Sequence, residues 1–262
     1  VKEGDIIDRE AQKRATSVYL VDRTIPMLPE RLCNFICSLR PDEEKLAFSA
    51  IFVLDEKAKV KSWHLAHTVI RSNRRFTYEE VQAILERNRE ASPEDVALPG
   101  EHPEPLPEGA PLEGEFADEL VRLNRFAKLL REERFRQGAI GFDRPEVRFE
   151  IDEKGHPVST YVKIAKDANK LVEEFMLLAN RTVAESIGKV KKGEKQKTLP
   201  YRVHDVPDPT KLETLRDFIV RFGYKLKTAG TKGAVTKSLN KLLADCNGKK
   251  EQKLIELVLI HI

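Results

Sequence analysis

Residues 167–187, DANKLVEEFMLLANRTVAESI, form the most apolar helical segment of the chain. Apolar side chains recur at the three- and four-residue steps of one helical face along the whole segment. Met176 and Leu177 extend this surface most of the way round, which predicts a helix that is buried on several sides. Asp167 is placed to cap the start of the helix, and Gly188 is placed to end it in the left-handed conformation.

Two adjacent carboxylates, Glu173 and Glu174, lie at the centre of this predicted helix. A carboxylate in an apolar helix needs water, a cation or a substrate as its partner. The residues alone leave two interpretations open. Either both acids face solvent from the polar edge of the helix, or one of them binds a substrate.

The composition is that of a soluble globular chain: 40% of the 262 residues are hydrophobic and 34% are charged. The net charge is only +3, but residues 90–119 hold ten acids and no Lys or Arg, so the remainder has 46 basic against 33 acidic residues, or +13. Such an excess suits a polyanionic partner. Three cysteines favour a reducing compartment, and there is no signal peptide or membrane-length apolar run. We therefore expect a cytoplasmic protein without a membrane partner.

The two ends of the chain suggest a piece of a longer protein. Val1 is not an initiator Met, and residues 254–262, LIELVLIHI, form a steeply apolar helical run without a terminating Gly, Pro or polar cap. We expect flanking sequence on both sides.

The pattern elsewhere predicts helices joined to short hairpins. A short helix capped by Asp8 opens the chain, and a turn bracketed by Pro26 and Pro29 leads to a helix whose Leu32, Phe35 and Ile36 face the core. Two hairpins are expected, one pairing 46–54 with 60–70 and one pairing 146–151 with 157–164, the second with a positive φ at Gly155. Further helices are expected over 78–89, which Thr77 caps, and over 116–137, 210–222, 236–244 and 249–262. A short strand is expected over 201–204, and an extended, solvated, acidic Pro-rich loop over about 91–115.

Four segments, in this order, carry a resemblance to a known family. They are SVYLVDRTIPMLPERLCNFICSLRPDEEKLAFSA at 17–50, IGFDRPEVRFEID at 140–152, KDANKLVEEFMLLAN at 166–180 and LPYRVHDVPDPTKLETL at 199–215. The chain resembles the catalytic RNB domain of the ribonuclease II and ribonuclease R group of processive 3′-to-5′ exoribonucleases. The resemblance spans nearly all 262 residues and is closer to ribonuclease R.

The resemblance implies an α+β fold with a mixed, curved sheet around a central buried helix and further helices outside. The whole of 1–262 would be one partial RNB domain. The implied activity is Mg²⁺-dependent hydrolysis of single-stranded RNA to nucleoside 5′-monophosphates.

Three residues match the substrate-handling positions of that family. Tyr19 matches the aromatic that stacks on the nucleotide beside the catalytic centre, and Phe142 matches the second aromatic of the clamp. Glu173 matches the carboxylate that contacts the ribose of the terminal nucleotide. From the residues alone, core packing stays the alternative for both aromatics.

The family's metal-binding aspartate cluster has no counterpart in the sequence. Asp5 and Asp8 are better interpreted as turn and cap residues. We therefore expect no catalytic or metal-ligating residue in the chain. The Mg²⁺ ligands would lie outside it, and the chain alone would hydrolyse little RNA. Alternatives are a non-catalytic RNA-binding relative of the same fold and a purely structural interaction domain.

Basic clusters are candidates for phosphate contacts. They are Arg71, Arg74 and Arg75, the lysines of 189–197, and Lys225, Lys227 and Lys232.

Three other motifs predict no ligand site. His64 and His67 fall on opposite faces of a strand, so they do not share a metal. Cys33 and Cys37 fit a buried thiol pair. Residues 230–238 lack the glycine that a phosphate loop needs before its Lys-Ser pair.

Overall fold

The computed structural model describes residues 1–95, 104–141, 146–190, 193–195, 197, 198, 200 and 207–261. These ranges contain both helices and short sheets, so the predicted α+β class is confirmed. The helices are α1 (Ile6–Arg14), α2 (Tyr78–Arg87), α3 (Ala117–Arg136), α4 (Asp167–Gly188), α5 (Pro209–Ile219), α6 (Lys232–Cys246) and α7 (Gln252–Ile260). The strands are β1 (Val18–Tyr19), β2 (Thr24–Ile25), β3 (Glu44–Leu54), β4 (Val60–Arg71), β5 (Glu146–Ile151) and β6 (Pro157–Lys163), and single turns of π- or 3₁₀-helix cover Arg31–Ile36, Pro93–Asp95 and Val220–Phe222.

The strands form three separate antiparallel pairs, β1–β2, β3–β4 and β5–β6. Each strand pairs with its neighbour in sequence across a tight turn, so within the described ranges the expected single mixed sheet is replaced by three hairpins. In β3–β4, Phe48 lies opposite His67 and Phe52 opposite Trp63, while His64 lies opposite Ile51 on the other face. The two histidines are therefore on opposite faces, as predicted.

In each of the two longer hairpins, an aspartate side chain accepts hydrogen bonds from the backbone of the turn. The Asp55 carboxylate accepts hydrogen bonds of 2.9 Å from the backbone N–H groups of Lys57 and Lys59. The Asp152 carboxylate accepts bonds of 2.9 and 2.8 Å from those of Lys154 and His156. These bonds lower the pKa of both aspartates.

The chain divides into two compact units. Unit 1 comprises Val1–Phe126 and Arg144–Ala179, and unit 2 comprises Ala127–Asp143 and Asn180–Ile262. Unit 2 has a hydrophobic core in which α5, α6 and α7 meet. Its buried members are Leu212, Leu215, Ile219, Tyr224, Leu226, Leu239, Leu242, Cys246, Ile255 and Leu259.

In unit 1, one face of the first two turns of α4 is buried. Ala168 and Leu171 are in the core of this unit, whereas Met176 is 58% exposed and Leu177 is 38% exposed. The expected burial on several sides is therefore wrong, because the apolar pattern marks a surface but does not show how much of it is covered. Asp167 is the first residue of the helix rather than its cap, and its carboxylate accepts hydrogen bonds from the backbone N–H and hydroxyl of Ser92.

The described parts of the acidic Pro-rich stretch are 91–95 and 104–115, and most of 104–115 is exposed, as expected for a solvated loop, but polar contacts also tie it to α2. The Asn88 side chain exchanges two hydrogen bonds with the backbone of Glu113, at 2.8 and 2.9 Å. Arg87 forms an ion pair with Glu113 at 3.1 Å, and Leu106 is buried. The pattern of prolines predicts irregular backbone correctly, but it does not reveal these polar contacts.

Three smaller predictions are wrong. Asp5, not Asp8, caps α1, because its carboxylate accepts the backbone N–H of Asp8 at 2.8 Å. Phe35 and Ile36 are 50% and 59% exposed rather than core residues. Cys37 is exposed as well, so the expected buried thiol pair does not form.

Candidate nucleic-acid interface

Tyr19 stands on the exposed β1–β2 hairpin and is 80% exposed. The hairpin is closed by a 2.8 Å hydrogen bond from the backbone N–H of Leu20 to the carbonyl of Arg23. Its base is tied by a 3.0 Å bond from the backbone N–H of Met27 to the Ser17 hydroxyl. Tyr19 is thus held on a fixed backbone but outside the core, where its ring can stack on a planar ligand.

A cavity of about 530 Å³ lies in unit 1 between the start of α2 and the first turns of α4. Its polar wall includes Arg75, Tyr78 and Lys163, and the Lys163 ammonium lies 5.7 Å from the centre of the Tyr78 ring. The remaining lining residues are Phe76, Thr77, Glu79, Val81, Leu120, Ala168, Leu171 and Val172. An aromatic ring, an apolar floor and two cations suit a ligand that has a planar base and a phosphate.

The sequence-based search missed Tyr78 and Lys163. Tyr78 follows Thr77, whose hydroxyl accepts the backbone N–H of Glu80 at 3.2 Å and thereby fixes the first turn of α2. Tyr78 is 42% exposed at this fixed position. The capping pattern could have indicated that Tyr78 is held rigidly at the start of the helix. The proximity of Lys163 could not be predicted, because it results from the tertiary fold.

Glu173 follows directly after the pocket residue Val172, and its side chain is exposed. Glu174, by contrast, is only 3% exposed. Of the two interpretations of Glu174, a solvated or an ion-paired acid, burial excludes the solvated one. Both carboxylates have interaction partners in the structure.

The three arginines that were expected to contact phosphate differ in their surroundings. Arg74 forms ion pairs with Glu80 at 2.8 Å and Glu115 at 2.9 Å, and both acids raise its pKa. Arg71 lies 3.7 Å from Asp42. Arg75 lines the cavity. Of the three, Arg75 is the one that the structure places at a candidate ligand site.

A buried polar network lies beneath the cavity and joins α2 to the start of α4. Its central residue is Gln82, whose side-chain oxygen accepts the backbone N–H of Ala168 at 3.1 Å. The Gln82 amide group donates to the Glu86 carboxylate at 3.0 Å and to the Asp95 carbonyl at 3.2 Å. Gln82 is 3% exposed, so all three bonds are formed away from solvent.

The same network holds charged groups in a buried setting. The Lys170 ammonium lies 2.8 Å from the Asp95 carboxylate, and that of Lys166 lies 3.6 Å from Glu86. Burial raises the pKa of Asp95, Lys170 opposes this rise, and the neighbouring Asp167 adds to it. Structurally, the network fixes the first turn of α4 against α2.

Other predicted site residues lie outside the described residues. Phe142 is one, and the predicted strand at 201–204 is another. In the basic loop over 189–197, Lys189 forms an ion pair with Glu185 at 3.2 Å, and residues 191, 192 and 196 are not described. Of the lysines at 225, 227 and 232, the side chain of Lys232 is also outside the description.

Metal ligands were sought among the described residues as well. No group of three or more His, Cys, Asp or Glu side chains in that part of the chain is arranged to hold a metal ion. Asp5 and Asp8 bind the backbone and Gln12 at the start of α1 instead. The described carboxylates therefore do not fit a divalent-metal centre.

The helices were also compared with the dimensions of a bilayer. Among the described residues, none of them combines the length and the apolar character that a membrane crossing requires.

The family model for the RNB domain matches residues 1–262 of the chain. Ribonuclease R of Aquifex aeolicus is 33% identical over 263 residues, which cover all of this chain and 34% of that protein. The chain thus spans about a third of the length of this curated relative.

Solved structures give the same fold. Mycoplasma genitalium RNase R in complex with ribose-methylated single-stranded RNA matches with a TM-score of 0.78 at 22% identity, over all of this chain and 37% of that one. Yeast Ssd1, described as a pseudonuclease, matches with a TM-score of 0.65 at 19% identity, over 99% of this chain and 28% of that one. At these identities the structural matches establish the fold and nothing further.

Proposed function

Because the chain belongs to the RNB-domain family of exoribonucleases, we propose that it forms the RNA-handling part of a 3′-to-5′ exoribonuclease that acts on single-stranded RNA in the cytoplasm. The enzyme releases nucleoside 5′-monophosphates with the help of Mg²⁺. The chain holds the 3′-terminal nucleotides, and Mg²⁺ bound by residues outside the described ranges would supply positive charge to activate water and to stabilise the phosphate.

Three residues carry the recognition in this proposal. Tyr19 stacks on a base, and Phe142 is the second aromatic residue that we assign to base stacking. Glu173 accepts a hydrogen bond from the ribose 2′-hydroxyl, which distinguishes RNA from DNA. Stacking tolerates any base, as a processive nuclease requires.

The cavity in unit 1 is the observation that best supports this function. It places an aromatic ring and two cations beside the helix turn that leads to Glu173. In this proposal, a base meets the Tyr78 ring and its phosphate contacts Lys163 or Arg75.

The described carboxylates do not fit a metal centre, so no catalytic step is assigned to them. We propose that the Mg²⁺ ligands lie outside the described residues and that the chain by itself binds RNA without hydrolysing it efficiently.

A chimaera tests the catalytic part of the proposal. The matching third of Aquifex aeolicus ribonuclease R is replaced by residues 1–262, and a 5′-labelled single-stranded RNA is incubated with the chimaera and Mg²⁺. We expect stepwise shortening from the 3′ end, and we expect Tyr19→Ala in the chimaera to change the length of the final product. A folded chimaera that binds RNA but leaves it intact would overturn the catalytic assignment.

The second candidate is a non-catalytic RNA-binding protein of the same fold. The name of yeast Ssd1, a pseudonuclease, shows that this fold also occurs in a protein without nuclease activity. The chimaera takes its metal site from the Aquifex protein, so this candidate is tested with the natural full-length protein, which it predicts to bind single-stranded RNA and leave it intact in the presence of Mg²⁺.

A further inference from the structure

Gln82 links the two helices that form the walls of the cavity. It lies one helical turn after Tyr78 on α2, so both side chains project from the same side of that helix. Its side-chain oxygen accepts the backbone N–H of Ala168, one of the amides at the start of α4 that have no partner within the helix. Glu173 lies five residues further along the same helix. A single buried side chain therefore couples the position of the ring to the position of the carboxylate.

We infer that Gln82 is a positioning residue that sets the spacing between the Tyr78 ring and Glu173 and thereby determines the preference for RNA over DNA. This inference rests on the proposed ribose-reading role of Glu173. It assigns no contact between Gln82 and the RNA, because Gln82 is buried beneath the cavity.

The chemistry of an amide explains why this position needs glutamine. The group must accept one hydrogen bond from Ala168 and donate two, to Glu86 and to the Asp95 carbonyl. An amide can accept and donate at the same time, whereas a carboxylate accepts only and a thioether donates nothing. Buried donors and acceptors that lose their partner are costly, so the helices would shift to recover their bonds.

The charged groups around Gln82 make a substitution by glutamate informative. The network contains the acids Glu86, Asp95 and Asp167, balanced by Lys166 and Lys170. A second carboxylate at position 82 would lie against Glu86 and would hold a proton at mildly acidic pH, because burial and a neighbouring negative charge both raise a carboxyl pKa. The protonated acid accepts one hydrogen bond and donates one of the two that glutamine donates. It loses this donor when the pH rises and the proton leaves.

The test measures the ratio of the dissociation constants for a single-stranded DNA and an RNA of the same sequence. Wild type, Gln82→Glu and Gln82→Met are titrated at about pH 5.5 and about pH 8, a range that brackets a raised carboxyl pKa. At the higher pH, we expect the ratio of dissociation constants for Gln82→Glu to be about fivefold lower than that of the wild type, which corresponds to one lost hydrogen bond. At the lower pH, the variant should regain this factor. Gln82→Met should lose the preference at both.

Gln12→Glu is the matched control, because Gln12 also donates its amide to a carboxylate, that of Asp8, but on the exposed helix α1. It should keep the wild-type ratio at both pH values. Circular dichroism identifies variants that are folded before their ratios are compared.

The outcomes separate this inference from the proposed function. If wild type does not bind RNA, or if Glu173→Met, which removes the acceptor oxygens, leaves the ratio unchanged, the proposed function fails. If Glu173→Met lowers the ratio but folded Gln82→Glu and Gln82→Met keep the wild-type value, the positioning role of Gln82 is wrong.

Discussion

At the scale of single residues, the exposure of Tyr19 is the observation that agrees best with the proposed stacking role. It is 80% exposed on a hairpin whose backbone is hydrogen-bonded at both ends, so folding does not bury it. The alternative that the sequence left open, core packing, does not hold in this structure. The role in stacking stays a proposal.

Tyr19→Ala should weaken the binding of single-stranded RNA by about 1–3 kcal/mol, the usual contribution of one stacked base. The measurement is an equilibrium titration of a labelled oligonucleotide. Tyr161→Ala is the matched control, because Tyr161 is also a strand tyrosine of unit 1 and is 49% exposed. Equal losses in the two variants would show that Tyr19 has no special role.

Lys163→Met should weaken RNA binding. It should also make the slope of the logarithm of the association constant against the logarithm of the salt concentration shallower by about 0.7, because each phosphate contact with a single strand contributes a slope of about this size. Methionine keeps much of the apolar stem but removes the charge above the Tyr78 ring. Titrations over a range of salt concentrations give the slope. Lys57→Met, at the exposed turn between β3 and β4, is the control and should leave the slope unchanged.

At the scale of elements, the two long hairpins use a charged turn residue, and this predicts a pH dependence. Hydrogen bonds from the backbone N–H groups of Lys59 and Lys57 lower the pKa of Asp55 in the folded state. A carboxyl with a lowered folded pKa stabilises the fold above its unfolded pKa, and this stabilisation is lost as the pH falls through the folded pKa. The hairpin should therefore weaken in acid.

Asp55→Asn should lower stability at neutral pH and make it less sensitive to acid, because asparagine keeps an acceptor oxygen but not the titrating charge. Urea unfolding at about pH 7 and about pH 3, on either side of the unfolded Asp pKa, measures both effects. Glu56→Gln, in the same turn, is the control. A variant that loses as much stability in acid as the wild type would contradict the role of this carboxylate.

Local patterns predicted the elements well where a short segment contains its own signals. Thr77 predicts the start of α2, and the β-rich runs of β3 and β4 predict that hairpin to within two residues. The contacts of Asn88 with Glu113 could not be predicted, because they join residues 25 apart in sequence. The cavity was missed for the same reason, since it combines residues from 75 to 172.

At the scale of the whole molecule, unit 2 depends on one helical core. Leu215 is fully buried among the side chains of that core. Leu215→Ala should lower the free energy of unfolding of this unit by about 2–5 kcal/mol, because the substitution leaves a cavity. Far-ultraviolet circular dichroism during thermal unfolding is the measurement. Leu254→Ala, at a residue that is 45% exposed, should change it by far less.

The family resemblance carried the prediction of function further than the physical patterns did. Composition indicated only a polyanionic partner, whereas four ordered motifs indicated the RNB domain, and the match over residues 1–262 confirms that assignment. The extent of burial could not be predicted. Met176 and Leu177 have the same apolar character as the core residue Leu171, and only the packing of the chain decides which of them is covered.

The position of Trp63 on β4 gives this molecule an intrinsic optical reporter. It is the only tryptophan in the 262 residues, it lies opposite Phe52, and it is 44% exposed. Light absorbed at the red edge of the indole band is therefore emitted from a single, partly hydrated site. Its emission spectrum and its quenching by iodide report on the β3–β4 hairpin alone, so a ligand or a denaturant that reaches this hairpin can be followed without a dye.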